Sequence, residues 1–241
     1  MYENNLPAPR TLRKWFESIN GSPGYSKEAL LAIKMKMAEA SSKNKTLLCC
    51  LMMDEMSIRK HVQLDAGKKK FVGYVDFGGA IADRENFPVA KEALVLMITA
   101  VNDHWKIPFA YFLINGLTST EKASIINDAL VFLHESNVNI ISLVFDGAAN
   151  NICMMKKLVQ NEESNDFIME FRHPSTNKPI YTLLDICHIL KLVRNTLASQ
   201  TVLIDPDSNE INWKYIEMLE EVQDFEGIRL ANKLAKRHID W

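Results

Sequence analysis

The sequence predicts an α/β domain built on a mixed sheet flanked by helices, with a helical segment ahead of it. Three observations predict this. Two apolar runs, 47–53 and 139–145, read as strands, and each ends in an aspartate, Asp54 and Asp146. Between them, 93–101 and 108–114 are near-continuous apolar stretches of the kind found in strands covered on both faces. From residue 115 onward, helical and strand periods alternate. Meander strands followed by alternating β and α elements make a mixed sheet with helices packed on it.

The elements follow in order. Residues 1–43 read as a helical lead-in. Thr11 is a plausible N-cap for a helix over 12–19, Gly21-Ser22-Pro23-Gly24 breaks the chain, and Ser26 starts a second helix whose apolar positions Leu30, Ile33 and Met37 recur at helical spacing. A polar linker, 41–45, leads into the strand ending at Asp54, whose extended pattern continues through Ser57 and Ile58. Asp65-Ala66-Gly67 marks the turn of a β-hairpin that returns through Phe71 to Val75, and 78–88 is loop. Asn102-Asp103-His104 turns the chain between the next two strands. Thr118 or Ser119 caps a helix with Glu121 in its first turn and an apolar face of Ile125, Ile126, Ala129, Leu130 and Leu133; Asn137 closes it. Gly147 to Asn151 is a tight strand-to-helix turn, the helix runs through Leu158, and 160–165 is a polar loop. A strand over 179–187 and a helix over 188–197 follow. Asp205-Pro206-Asp207-Ser208 breaks the chain, and 213–221 and 227–237 read as helices.

Composition sets limits. Apolar residues make up 47%, ample for a core, and 28 Lys and Arg balance 30 Asp and Glu for a formal charge of −2. That balance excludes a strongly basic nucleic-acid-binding arm, though not a local basic groove. Cys49, Cys50, Cys153 and Cys187 form no CxxC pair and read as reduced thiols rather than a disulfide framework or zinc site. The sequence shows no signal peptide and no apolar stretch long enough to span a membrane, so a cytosolic or nuclear protein is expected. The eleven methionines read as core filler.

A right-handed crossover would place the strand ending at Asp146 parallel to an earlier one. If that neighbour is the strand ending at Asp54, both carboxylates emerge at one sheet edge, which is the arrangement of the ribonuclease H-like fold. Close carboxylates repel, and a hard cation such as Mg²⁺ removes that cost, taking one or two carboxylates plus waters and phosphate oxygens. Asp54 and Asp146 are thus the candidate catalytic metal ligands, and Lys191 and Arg194 the candidate phosphate contacts. Other readings stand beside this one. Asp before Gly-Ala-Ala-Asn is good turn chemistry. Asp76, after Gly73-Tyr74-Val75, rivals Asp54 as first ligand. Asp185 and His188 flank Cys187 at a strand-to-helix junction, where a capped helix start is preferred over ligation. His173, beside Pro174, is expected to face solvent. Gly67-Lys68-Lys69-Lys70 lacks the spacing of a phosphate loop.

Four local strings occur in order: L-P-A-P-R-T-L-R-K-W at 6–15, D-E-M-S-I at 54–58, V-F-D-G-A-A-N at 144–150, and D-I-C-H-I-L-K-L-V-R-N at 185–195. Together they resemble the P-element-type transposases, which include the THAP-domain transposase-like proteins. The resemblance implies a nuclear, DNA-binding enzyme that cuts and joins transposon ends with Mg²⁺, with Asp54 and Asp146 as its first and second acids. It implies a ribonuclease H-like domain over 44–200 and the beginning of a GTP-binding insertion over 201–241. A homo-oligomer is compatible with it; a membrane partner is not.

The resemblance also implies departures. The family's third acid, a glutamate after the insertion, and its zinc-coordinating THAP module have no counterpart in these residues. An incomplete catalytic domain is therefore expected, with weak metal and GTP binding alone. The alternative is a non-catalytic, domesticated remnant that binds DNA or protein. A third reading, a self-sufficient nuclease, would need Glu217, Glu220 or Glu221 as the missing acid.

Overall fold

The protein is described here by a computed structural model covering residues 7–17, 20–65, 70–79, 87–159, 170–227 and 234–239. Its elements are α1 (Pro9–Glu17), β1 (Gly24–Tyr25), α2 (Lys27–Ser42), β2 (Cys49–Ser57), β3 (Gln63–Asp65), β4 (Lys70–Val72), β5 (Glu92–Ala100), β6 (Lys106–Ile114), α3 (Ser119–His134), β7 (Ile140–Phe145), α4 (Ala149–Val159), β8 (Glu170–Arg172), β9 (Pro179–Leu184), α5 (Ile186–Gln200), β10 (Val202–Ile204), β11 (Glu210–Asn212) and α6 (Lys214–Glu226). The chain divides into two compact units, Met1–Leu184 and Asp185–Trp241.

A seven-stranded mixed sheet, ordered β1-β6-β5-β2-β7-β9-β8, forms the frame of the first unit. β5 runs antiparallel to β2 and β6, whereas β2, β7 and β9 are mutually parallel. Successive strand residues point to opposite faces. Cys49, Cys50 and Leu51 are all buried, so both faces of the central strand β2 are covered. Burial pushes the Cys49 thiol up to about 11 and raises that of Cys50, which keeps both protonated. The core runs from Ile33 of α2 through Leu51 and Met53 of β2, Leu94, Leu96 and Ile98 of β5, Ile126 and Leu130 of α3, and Leu143 of β7 to Met154 of α4. The lead-in helix α2 is thus part of this core, and α5 belongs to the second unit.

Local chemistry sets the helix starts. The Ser26 hydroxyl accepts from the Ala29 N–H at 3.1 Å and caps α2. Thr118 and Glu121 close a reciprocal capping box on α3, whose hydrogen bonds hold the Glu121 carboxyl below its usual range. Asn137 takes a left-handed φ of 58°, which ends the turn after α3.

Several features differ from the expectation. α1 begins at Pro9, so Thr11 lies within the helix and not at its N-cap. The strand expected over 179–187 stops at Leu184, because the Asp185 side chain accepts from the Cys187 and His188 N–H groups and starts α5 instead. Short strands β8, β10 and β11 fall on residues to which the sequence assigned no element. His173 does not face solvent: it is 5% exposed, its Nδ1 accepts from the Ser175 N–H at 3.0 Å, and its ring packs edge-on against His134. Burial, with His134 beside it, lowers its pKa. The expected turn at Ala66-Gly67, the loop at 160–165 and most of the helix expected over 227–237 lie outside the described residues.

In the second unit, α5 is followed by the β10–β11 hairpin and α6. The Asp205 carboxylate shapes the hairpin turn by accepting from the N–H groups of Asp207 and Asn209.

Candidate active site

Register is what brings Asp54 and Asp146 together. β2 and β7 pair Cys49 with Ile140, then Cys50 with Ser142, Leu51 with Leu143 and Met52 with Val144. Ile141 is an extra residue on β7 at that shift, a β-bulge. Continuing the later register two residues past Met52 and Val144 puts Asp146 level with Asp54. The earlier register would have put Phe145 there, since a one-residue slip exchanges the faces of a strand. Extended in this way, the register sets the Asp54 carboxylate of β2 beside Asp146, the residue that follows β7, at about one strand spacing of 5 Å.

Each acid keeps an oxygen available. Asp54, exposed, accepts through Oδ1 from the Glu55 N–H at 2.9 Å. Asp146, half-buried, accepts through Oδ1 from the Ala148 N–H at 3.0 Å and from Asn151 Nδ2 at 2.6 Å. The Oδ2 atom of each has no hydrogen-bond partner among the described residues. Two carboxylates level with each other, each with one oxygen uncommitted, fit a hard divalent cation that takes its remaining ligands from water or phosphate. Among the described residues no group of three or more His, Cys, Asp or Glu side chains could hold a metal.

Behind the pair lies a network that sequence reasoning missed. Lys122 of α3 is 3% exposed. Its Nζ lies 2.6 Å from Glu55 Oε1 and donates to Asn151 Oδ1 at 2.7 Å. Glu55 follows Asp54 on β2, and Asn151 holds Asp146 from the first turns of α4. One ammonium thus joins the flanks of both acids. A signal was present: Lys122 falls on the apolar stripe of α3 with Ile126, Leu130 and Leu133, and Asn151 on that of α4 with Met154, Met155 and Leu158. A polar residue on a buried stripe needs partners.

Asp76 lies apart from the pair within the first unit. Asp76 pairs with Leu113 on the outer side of β6, and the sheet register runs on from Leu113 to Ala93 and from Ala93 to Met56 of β2. Three strand spacings, about 14 Å, separate it from the central strand. Its Oδ1 accepts from the Gly78 N–H at 2.8 Å, a turn role. Lys191 is exposed on α5. Arg194 is half-buried in the second unit, donating to the His238 carbonyl and to Asn195 Oδ1, with its guanidinium 5.7 Å from the Trp213 ring centre. Glu217, Glu220 and Glu221 line an open cleft of the second unit with Lys236 and Arg237.

Comparison with known proteins rests on this geometry. Residues 21–159, more than half of the chain, match the family model described as TNP-like, RNase H N-terminal domain. The chain belongs to the P-element-type transposase family. Residues 187–241 match a second model, TNP-like, GTP-binding insertion domain. Among curated proteins, the chain is 26% identical over 195 residues to the human (Homo sapiens) DNA transposase THAP9, covering 80% of this chain and 21% of that protein. Among solved structures, it resembles a chain of the Drosophila P element transposase strand transfer complex, with a TM-score of 0.68 and 18% identity over 98% of this chain and 47% of that one. That likeness is one of fold. The chain spans about a fifth of the length of THAP9 and just under half of the Drosophila chain.

Proposed function

We propose that this chain supplies the first two acids, Asp54 and Asp146, of a divalent-cation site for DNA phosphodiester cleavage and strand transfer. The single observation that carries the reading is the β2–β7 register after the shift at Ile141, which, extended two residues past Met52 and Val144, sets Asp54 level with Asp146. Family membership supports it, as does the fold shared with a transposase seen in a strand transfer complex. Mg²⁺ is the cation of choice, because it keeps several waters and needs only one or two protein carboxylates. A cation held there would offset charge building on the attacking and leaving oxygens of a phosphodiester.

The chain's own residues do the positioning. Asn151 and the Ala148 N–H fix the rotamer of Asp146, and the Glu55 N–H fixes that of Asp54. Lys191, exposed on α5, is the proposed phosphate contact, whereas the guanidinium of Arg194 is engaged within its own unit. GTP recognition by the second unit, transposon-end DNA as substrate and a nuclear setting extend the same reading from the relatives. Among the described residues no helix is long and apolar enough to cross a membrane.

The test uses the full chain. Mn²⁺ binding, read from loss of the free-ion resonance, should fall sharply in both Asp54→Asn and Asp146→Asn while the circular dichroism spectrum stays unchanged. Cation binding that survives both substitutions would sink the proposal.

A further inference from the structure

The geometry points to Lys122 as a positioning residue that sets the spacing of the two acids through its buried bridge from Glu55 to Asn151. This rests on the reading of Asp54 and Asp146 as cation ligands and adds how their separation is held. Lys122 is 3% exposed, and burying an ammonium is costly unless it is paired. It forms an ion pair with Glu55 Oε1 at 2.6 Å and donates a hydrogen bond to Asn151 Oδ1 at 2.7 Å. Those partners belong to different elements. Glu55 is the neighbour of Asp54 on β2. Asn151, on α4, passes the constraint to Asp146 through Nδ2–H at 2.6 Å.

The order of donors is fixed. An Asn amide that accepts at Oδ1 from an ammonium must present its NH₂ to the next group, so Lys122 orients Asn151 to donate to Asp146 and not to repel it. The same ammonium draws Glu55 to the inner face of β2, leaving Asp54 on the other face of the strand. Lys122 therefore touches neither acid, yet fixes the backbone of one and the side chain of the other. Groups that orient metal ligands from behind typically change metal affinity 10–100-fold when removed.

The experiment compares Mn²⁺ affinity and thermal midpoint across four variants of the full chain. Asp146→Asn is the reference for a lost ligand. Lys122→Met removes the bridge. Asn151→Ser keeps the Lys122–Glu55 pair and removes only the tether to Asp146, so the fold persists even if Lys122→Met is unstable. Ile126→Val, in the core of the same helix, lowers the midpoint without touching the network. The expected result is about a tenfold or greater loss of Mn²⁺ affinity in Lys122→Met and Asn151→Ser, with none in Ile126→Val. Wild-type affinity in Asn151→Ser overturns the inference. So does a loss in Ile126→Val that matches its drop in midpoint, which would mean the network acts through stability alone. Wild-type binding that Asp146→Asn leaves unchanged overturns the cation reading itself, and this inference with it.

Discussion

Replacing Glu55 tests whether the buried network also holds the fold. Its Oε1 is shielded from solvent, and Lys122 Nζ at 2.6 Å is the charge that balances it. Removing one partner of a buried ion pair costs about 3–5 kcal/mol, because the other charge stays buried alone. Here the cost is smaller. The Glu55 side chain is 28% exposed, and Lys122 keeps its hydrogen bond to Asn151. About 2–3 kcal/mol is expected for Glu55→Ala, against a total stability on the order of 5–15 kcal/mol. For a unit of this size that lowers the thermal midpoint by about 4–12 °C. The assay is urea unfolding of wild type, Glu55→Ala, Lys122→Met and the double variant. Groups in direct contact should show a coupling of about 1–3 kcal/mol, the double variant losing less than the sum of the singles. A coupling under about 0.5 kcal/mol would refute the claim that Lys122 and Glu55 stabilise each other.

Three further outcomes follow from the structure. Asp76→Asn should leave cation binding at the wild-type level, because Asp76 lies beside β6, about 14 Å from the central strand; a loss of Mn²⁺ affinity would restore it as a ligand. Thr118→Ala removes the hydroxyl that accepts from the Glu121 N–H, leaving the backbone N–H of residue 118 on the Glu121 carboxylate, and should cost about 1 kcal/mol in urea unfolding, with cation affinity unchanged. His173 is held neutral by burial, its folded pKa lying below its unfolded value near 6.5. The unfolded chain therefore binds the extra proton first as pH falls, so its contribution to stability is complete above about pH 6.5 and is lost below it. His173→Asn, whose Oδ1 can take the same backbone N–H groups, should flatten that part of the pH–stability curve; an unchanged slope would count against the burial argument.

The sequence carried the frame of the fold because its signals were local. Alternating periods marked β5, β6, α3 and β7, and the caps at Ser26 and Thr118 form the hydrogen bonds their residue types suggest. What it did not carry was tertiary. His173 beside a proline reads as surface loop, and only the chain folding back against His134 buries it. Asp185 closes one apolar run and opens another, so periodicity alone could not tell the last residue of a strand from the cap of a helix. A lysine in a helix reads as solvated charge until its place on the apolar stripe is weighed, and its partners Glu55 and Asn151 lie 67 and 29 residues away in the chain.

The candidate site shows the same limit in its sharpest form. Both aspartates can be found by inspection, since each follows an apolar run. Whether they meet depends on parity, and parity depends on one residue. Were Ile141 paired with Cys50 instead of bulged, the faces of β7 would exchange and Asp54 would stand level with Phe145. No propensity at Ile141 announces the bulge; it is a β-branched apolar residue like Ile140 before it. The bulge sets Leu51 beside Leu143, both fully buried, with Lys122 and Asn151 joined on the helices that cover that face. Core packing thus selects the register, and the register makes the carboxylate pair. That ordering sets the Lys122–Glu55 ion pair and the Asp54 carboxylate on opposite faces of β2.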